Sequence, residues 1–300
     1  MIPYFVSVAT MAAIFGIAAL GLNLQFGIAG LFNVGCAGFF AAGAYATAIV
    51  TGPHFAPGLG GFGLPVPLGL VAAPALAAVL AALVAVLVLR LGGDYLAIAT
   101  FGLAIVLQVA ATNLESITGG PGGLSGIPLP LRGISWLAVC LGLLIVVYAV
   151  LQRLDTAPWG RALRAVSEDA DAAAATGKNV TKFRLQAFVI GAALTGLSGG
   201  LYAHNAGFIS PQDFLPILTF QLYAMVIVGG IGRHASALLG TAVVWLLWSG
   251  SGQLLATALP PELQNKAGAI RIIVIASVLL AMLLLRPAGL LPERIGRGLR

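Results

Sequence analysis

Residues 154–184 read LDTAPWGRALRAVSEDADAAAATGKNVTKFR, and this is the one long polar piece of the chain. It carries Arg161, Arg164, Lys178, Lys182 and Arg184, together with Asp155, Glu168, Asp169 and Asp171. Apolar segments lie on both sides. A charge at the centre of a bilayer costs about 2.5–3.5 kcal/mol, so this stretch sits in water while its neighbours sit in lipid. It reads as helix, with Thr156 as cap, Pro158 in the first turn, alanines from Ala170 to Ala175, and Gly177 as the stop. A membrane-embedded chain thus presents one amphipathic elbow to one compartment, a surface on which a soluble partner can dock.

The rest of the composition agrees. Of 300 residues, 60% are hydrophobic and 8% charged. Mean hydropathy is +1.04. A soluble domain has about 25% charged residues, so the bilayer must be part of the solvent. Forty glycines and 16 prolines suit membrane helices, where small residues let backbones approach. Cys36 and Cys140 fall inside apolar runs; they predict neither a disulfide nor a metal site. The net charge of +6 is scattered at segment ends and fits lipid headgroups rather than nucleic acid. The N-terminus has no basic region before its apolar run and reads as a retained span.

The fold class is all-α, a polytopic bundle of about nine spans (eight to ten), forming a single domain over residues 1–300. The spans are read as Tyr4 to Gln25, Ile28 to Val50, Val66 to Leu89, Tyr95 to Asn113, Ile134 to Leu151, Phe183 to His204, Phe214 to Ile231, Ala235 to Leu255 and Ala269 to Leu285. The second is glycine-rich and could be short or broken; the seventh could be re-entrant. Loops Thr51 to Pro65 and Glu115 to Gly133 interrupt them.

Alternation puts twelve of the 15 Lys and Arg on the elbow side: Arg90, Arg153, Arg161, Arg164, Lys178, Lys182, Arg184, Arg233, Arg286, Arg294, Arg297 and Arg300. Arg132, Lys266 and Arg271 fall opposite. The positive-inside rule then makes the elbow cytoplasmic, the N-terminus outside and the C-terminus cytoplasmic.

Amides in the spans need partners: Asn23, Gln25 and Asn33 around the first turn, Gln108 and Asn113 on the fourth span, and Gln221 on the seventh. They serve either as interhelical hydrogen bonds or as a polar stripe along a solute route. Small residues at Gly191, Thr195, Gly199 and Ala203, and at Ala192, Gly196 and Gly200, predict close helix packing, with a moving interface as the alternative. The run TGGPGGLSG (Thr118 to Gly126) is not followed by Gly-Lys-Ser/Thr, so it predicts a structured turn or an external contact, not a phosphate cradle. His54, His204 and His234 are isolated, and there is no HExxH or Gly-x-Ser-x-Gly. The spans hold no Asp or Glu in their cores, where ion-driven transporters keep coupling sites. Any energy is expected to enter from outside the chain.

Six segments, in order, resemble the LivM-like permease subunits of branched-chain amino acid ABC importers. They are GLNLQFGIAGLFNVGCAGFFAAGAY (Gly21 to Tyr45), GGDYLAIATFG (Gly92 to Gly102), SITGGPGGLSGIP (Ser116 to Pro128), the long run Gly160 to His204, VIVGGIG (Val226 to Gly232) and LLLRPAGLL (Leu283 to Leu291). The resemblance implies a non-catalytic permease in a bacterial inner membrane. It implies a second related permease, two ATPase subunits carrying ATP and Mg, and an external periplasmic solute-binding protein, with no cofactor on this chain. It makes the elbow the ATPase-coupling loop, through Gly160, Arg161, Arg164, Glu168, Asp169, Ala172, Ala173 and Gly177, with Arg161, Arg164 and Glu168 sharing one face.

The solute path would run past Asn23, Gln25, Asn33, Cys36, Gln108, Asn113 and Gln221. Cys36 stands where many relatives have His, and Gln221 where many have an acidic residue. Lys178 and the pair Ser236–Ala237 also depart from the pattern. The solute therefore stays open between branched-chain or other hydrophobic amino acids and urea, amides or small carboxylates. A stand-alone secondary transporter and a purely structural subunit are the competing readings.

Overall fold

The computed structural model describes residues 2–53, 61–89 and 93–258, and scattered positions from 273 to 291 that include Gly289 to Leu291. His54, Arg90, Lys266, Arg271 and the C-terminal arginines lie outside the described residues, as does most of the expected ninth span.

Eleven α-helices are described, in chain order: α1 (Ile2–Leu22), α2 (Cys36–Thr51), α3 (Val66–Val88), α4 (Gly93–Asn113), α5 (Glu115–Thr118), α6 (Ile134–Thr156), α7 (Pro158–Glu168), α8 (Ala170–Ala175), α9 (Val180–Ala206), α10 (Ile217–Gly229) and α11 (His234–Ala258). Among the described residues, six helical stretches are long and apolar enough to cross a membrane, the first running from α1 on to Ile28, and two shorter apolar helices are α2 and α10. The chain is an all-α membrane bundle.

Two expected spans are shorter than the sequence implies. The first span does not end cleanly: its last turns wind as a π-helix over Asn23–Ile28. Ala29 to Gly35 is then irregular, and α2 begins only at Cys36. The expected helix from Ile28 is therefore corrected to one from Cys36. Gly30 takes a φ of 66°, which favours glycine and breaks the run. The seventh span also loses its start. Pro211–Phe214 forms a 3-10 turn capped by Ser210 and Asp213, so α10 runs only from Ile217 to Gly229.

The α9 helix is central. It packs against α1, α2 and α3. Its small residues are what permit this: Gly191, Thr195, Gly196, Gly199 and Gly200 are all buried. A Cβ at Gly43 of α2 would strike the Gly196 backbone, and one at Gly199 would strike the carbonyl of Phe40. The small-residue stripes are thus ordinary close packing.

At the end opposite the elbow, Tyr4 Oη meets Ser249 Oγ at 2.7 Å. The loop after α4 is folded, not loose. Its strand β1 (Leu124–Ser125) pairs antiparallel with β2 (Phe208–Ile209), just after α9. His204 Nδ1 lies 2.7 Å from the Pro128 carbonyl. Gly119, Gly120, Gly123 and Gly126 all take positive φ, so the glycine-rich run is a structured turn.

Candidate functional site: the elbow and the amide cluster beneath it

The elbow is two helices, not one. Thr156 is the last residue of α6, and its hydroxyl donates back to the Gln152 and Arg153 carbonyls. It does not cap the elbow; Ala157, extended, precedes Pro158 at the first helical position. The break falls at Asp169, whose Oδ1 accepts from the amides of Asp171 (3.0 Å) and Ala172 (2.9 Å) and so caps α8. Gly177 does end the second piece, with φ of 79°. Asn179 Oδ1 then accepts from Lys182 N at 3.0 Å and starts α9.

One face of α7 is anchored. Gly160, Leu163 and Val166 are buried. A Cβ on Gly160 would strike the backbone of Asp155, so glycine lets α7 fold tightly against the end of α6. Trp159 Nε1 donates to Gln186 Oε1 at 2.8 Å, tying α7 to α9.

Arg164 is turned inward. Its Nε and Nη2 reach the two carboxylate oxygens of Asp155 at 3.1 and 2.9 Å, a fork geometry. Nη2 also approaches the Gly232 carbonyl at 3.4 Å. Arg161, by contrast, is exposed and donates to the Thr156 carbonyl at 3.0 Å, and Glu168 is exposed. Arg161, Arg164 and Glu168 therefore do not present one open surface. The exposed side of the elbow is made by Arg161, Ser167, Glu168, Asp169, Asp171 and Ala172, while Ala173 is buried. Tyr148, Gln152, Asp155, Arg164, Arg233, His234 and Ala235 line a polar cleft of about 360 Å³ beside it.

Directly beneath lies the amide cluster. Asn23, Gln25 and Asn33 are fully buried. Asn23 Oδ1 accepts from Gly232 N at 3.0 Å, and its Nδ2 lies 3.4 Å from His234 Nδ1. Gln25 Nε2 donates to the Phe188 carbonyl at 2.7 Å. Asn33 Nδ2 donates to Gln25 Oε1 at 2.9 Å, and Asn33 Oδ1 accepts from Gly35 N at 2.9 Å. Tyr223 Oη and Cys36 Sγ both donate to the Asn33 carbonyl, at 3.0 and 3.6 Å. Asn33 thus satisfies part of the irregular backbone between α1 and α2, while Asn23 and Gln25 tie its flank to the turn before α11 and to α9.

The other amides stand apart. Gln108 and Gln221 are half-buried, and neither side chain bonds to another described residue. Asn113 is exposed and donates to the Val109 carbonyl of its own helix at 2.7 Å.

Sequence reasoning missed Asp155 as the partner of Arg164, and Thr100 and Thr219. Val34 N donates to Thr100 Oγ1 at 3.0 Å, and Ala37 N to Thr219 Oγ1 at 2.9 Å. Their signal was available: each is a hydroxyl inside an apolar run.

The fold and site define a multi-pass membrane bundle with a water-facing helical elbow braced on its spans. A family model described as "Branched-chain amino acid transport system / permease component" matches residues 4–285. The chain belongs to this family and is a permease. It is 34% identical, over 96% of its length and 70% of the relative's, to a LivM high-affinity branched-chain amino acid transport system permease protein of Salmonella typhimurium. Identity to the LivM protein of Escherichia coli K12 is 33% over the same shares. Identity to the LivH permease protein of that same strain is 24%, over 94% of this chain and 92% of LivH. No solved structure matches.

Proposed function

We propose that the chain is the non-catalytic membrane permease subunit of an ATP-driven importer for branched-chain amino acids. Two ATPase subunits carrying ATP and Mg would sit against the elbow, a second related permease beside the bundle, and a periplasmic solute-binding protein above the loop from Glu115 to Gly133. The elbow side is cytoplasmic in this reading, with the N-terminus outside and the C-terminus inside.

One observation carries the coupling role. The elbow is held by Arg164 to α6 and to the turn between α10 and α11, while its other side is open. A push on α7 would therefore reach the span ends without first bending a loop. ATP can bias the two permease states only through its different affinity for them, and a braced element passes that bias on.

The buried, satisfied amides Asn23, Gln25 and Asn33 support a structural role for that cluster. The half-buried Gln108 and Gln221 are better suited to face a solute, because their amides keep hydrogen-bonding capacity. They could bind a zwitterion without a full counter-charge.

The test is reconstitution in proteoliposomes with the ATPases, the second permease and the binding protein. Leucine uptake should require ATP and every subunit. ATP-independent uptake by this chain alone would overturn the proposal. Uptake of urea or a short-chain amide in preference to leucine would overturn the solute assignment alone.

A further inference from the structure

At the elbow end of the bundle, the ends of α3, α4 and α9 and the irregular segment after α1 enclose a small cavity of about 120 Å³. Leu89 just past α3, Leu96 on α4, and Leu31 and Phe32 before α2 give it an apolar wall. Gly30 and Gly93 contribute backbone alone. Arg184, near the start of α9, is the one charged side chain among the described residues of the lining.

Arg184 has no counter-ion among the described residues. The side chain is half-buried, and its Nε is shut off from water with no hydrogen-bond partner. The elbow's ion pair joins Arg164 to Asp155 instead, and Asp94, one residue past Gly93, is exposed. Taking a cation part-way out of water is costly unless an anion replaces the water. A guanidinium is a planar fork that matches a carboxylate through two parallel hydrogen bonds.

The wall restricts what that anion is. Leu31 and Leu96 are 4% and 3% exposed, so dry hydrocarbon lies beside the cation. A bare inorganic anion would leave this surface uncovered. A molecule with a carboxylate at one end and a short branched chain at the other covers both. The size agrees: a cavity of about 150 Å³ holds benzene. This one is slightly smaller, with room for a branched side chain but not for a pair of acyl chains.

The cavity also borders the elbow. A Cβ on Gly30 would lie 3.6 Å from Ser167 Cβ of α7, so the elbow touches the cavity wall at that glycine. On its other side the Phe32 ring packs edge-on against Tyr223 of α10, at 5.2 Å between centroids. An occupant would therefore bridge α4, α9 and the segment that a push on α7 reaches first.

We propose that this cavity is a carboxylate site on the cytoplasmic side of the solute route. Arg184 takes the carboxylate of a small amphipathic acid, and Leu31, Phe32, Leu89 and Leu96 take its branched chain before release. The inference rests on the proposed function, which supplies the solute class and the sidedness of the elbow. No acidic side chain among the described lining residues is there to hold an ammonium group. A branched acid without an amine therefore binds as leucine does, and the amide of leucine does not.

The experiment measures binding of radiolabelled leucine to the purified complex of this chain, the second permease and the ATPases, without the solute-binding protein. Unlabelled leucine, 4-methylpentanoate, leucinamide and glycine are the competitors. The expected result is saturable binding that Arg184→Gln weakens at least tenfold and that Arg184→Lys, which keeps the charge, weakens less. 4-Methylpentanoate should compete like leucine, and leucinamide and glycine at least tenfold less well; this ranking needs no variant. The melting temperature of the Arg184→Gln complex should be unchanged, because the side chain bonds to no described residue. Absence of saturable binding, equal affinity in Arg184→Gln, or equal competition by leucinamide would overturn the inference. So would phosphatidylglycerol that co-purifies with the unmodified complex and is lost from Arg184→Gln while leucine affinity stays the same, since a lipid headgroup would then be the anion. Should the reconstituted complex take up no leucine with ATP, the proposed function fails and this inference with it. Should uptake proceed while Arg184→Gln binds leucine as before, this inference alone fails.

Discussion

Arg164 of the elbow and Asp155 at the end of α6 form a forked ion pair, with Nη2 and Oδ2 2.9 Å apart and the two side chains 32% and 15% exposed. The same guanidinium reaches the Gly232 carbonyl, and Gly232 N in turn donates to Asn23 Oδ1. One side chain thus joins the water-facing elbow, the turn before α11 and the π-wound end of the first span.

Breaking this pair should uncouple the elbow without unfolding the bundle. A charge-assisted hydrogen bond is worth about 1.5–3 kcal/mol, and partial exposure here lowers that. Arg164→Gln and Asp155→Asn should each reduce ATP-dependent uptake at least tenfold while membrane insertion is unchanged. The exchanged pair, Asp155→Arg with Arg164→Asp, should recover part of it. Uptake assays on proteoliposomes with matched protein content check this.

The amide cluster makes a different prediction. Asn33→Ala removes two buried side-chain bonds, to Gln25 and to Gly35 N. Leaving a buried polar partner unsatisfied costs about 1–3 kcal/mol. The melting temperature of the purified protein in detergent should fall by several degrees. Asn113→Ala, on an exposed side chain bonded only to its own helix, should leave it unchanged.

Close helix contact can be tested by size. Gly43→Val and Gly196→Val would each push a side chain into the facing backbone of α2, α3 or α9. Overpacking costs about 1–3 kcal/mol or more. Both should lower the yield of monodisperse protein on gel filtration. Gly142→Ala, which meets no neighbour within 4 Å, should not.

The break in the elbow gives a smaller effect. Asp169→Ala removes the cap of α8 and should cost about 1 kcal/mol locally. Amide exchange at Asp171 and Ala172 should speed up, with Asp169→Asn close to the unchanged protein.

These residues also show what the sequence could tell. Apolar run length located the membrane-length helices, because lipid imposes a strict rule on composition. The resemblance named the family. The shortened α2 and α10 were harder to see. The backbone before α2 is satisfied by a distant group, Thr100 on Val34 N, whereas the turn before α10 closes on its own Ser210–Asp213 capping box, which the Ser-Pro-Gln-Asp run could have signalled. The partner of Arg164 was nine residues upstream, at the end of α6, across the break at Ala157. The amides read as one group of seven polar positions with Cys36. They divide into a satisfied cluster, and the separate Gln108, Asn113 and Gln221, only when the helices are placed in space.

The most direct measurement is ATPase retention by elbow variants. Arg161→Glu and Glu168→Arg change exposed charges and leave the Arg164–Asp155 brace intact. In affinity purification from membranes, each should reduce the co-purifying ATPase at least fivefold while the second permease remains bound. Full ATPase retention and full uptake in both variants would contradict the elbow as the coupling surface.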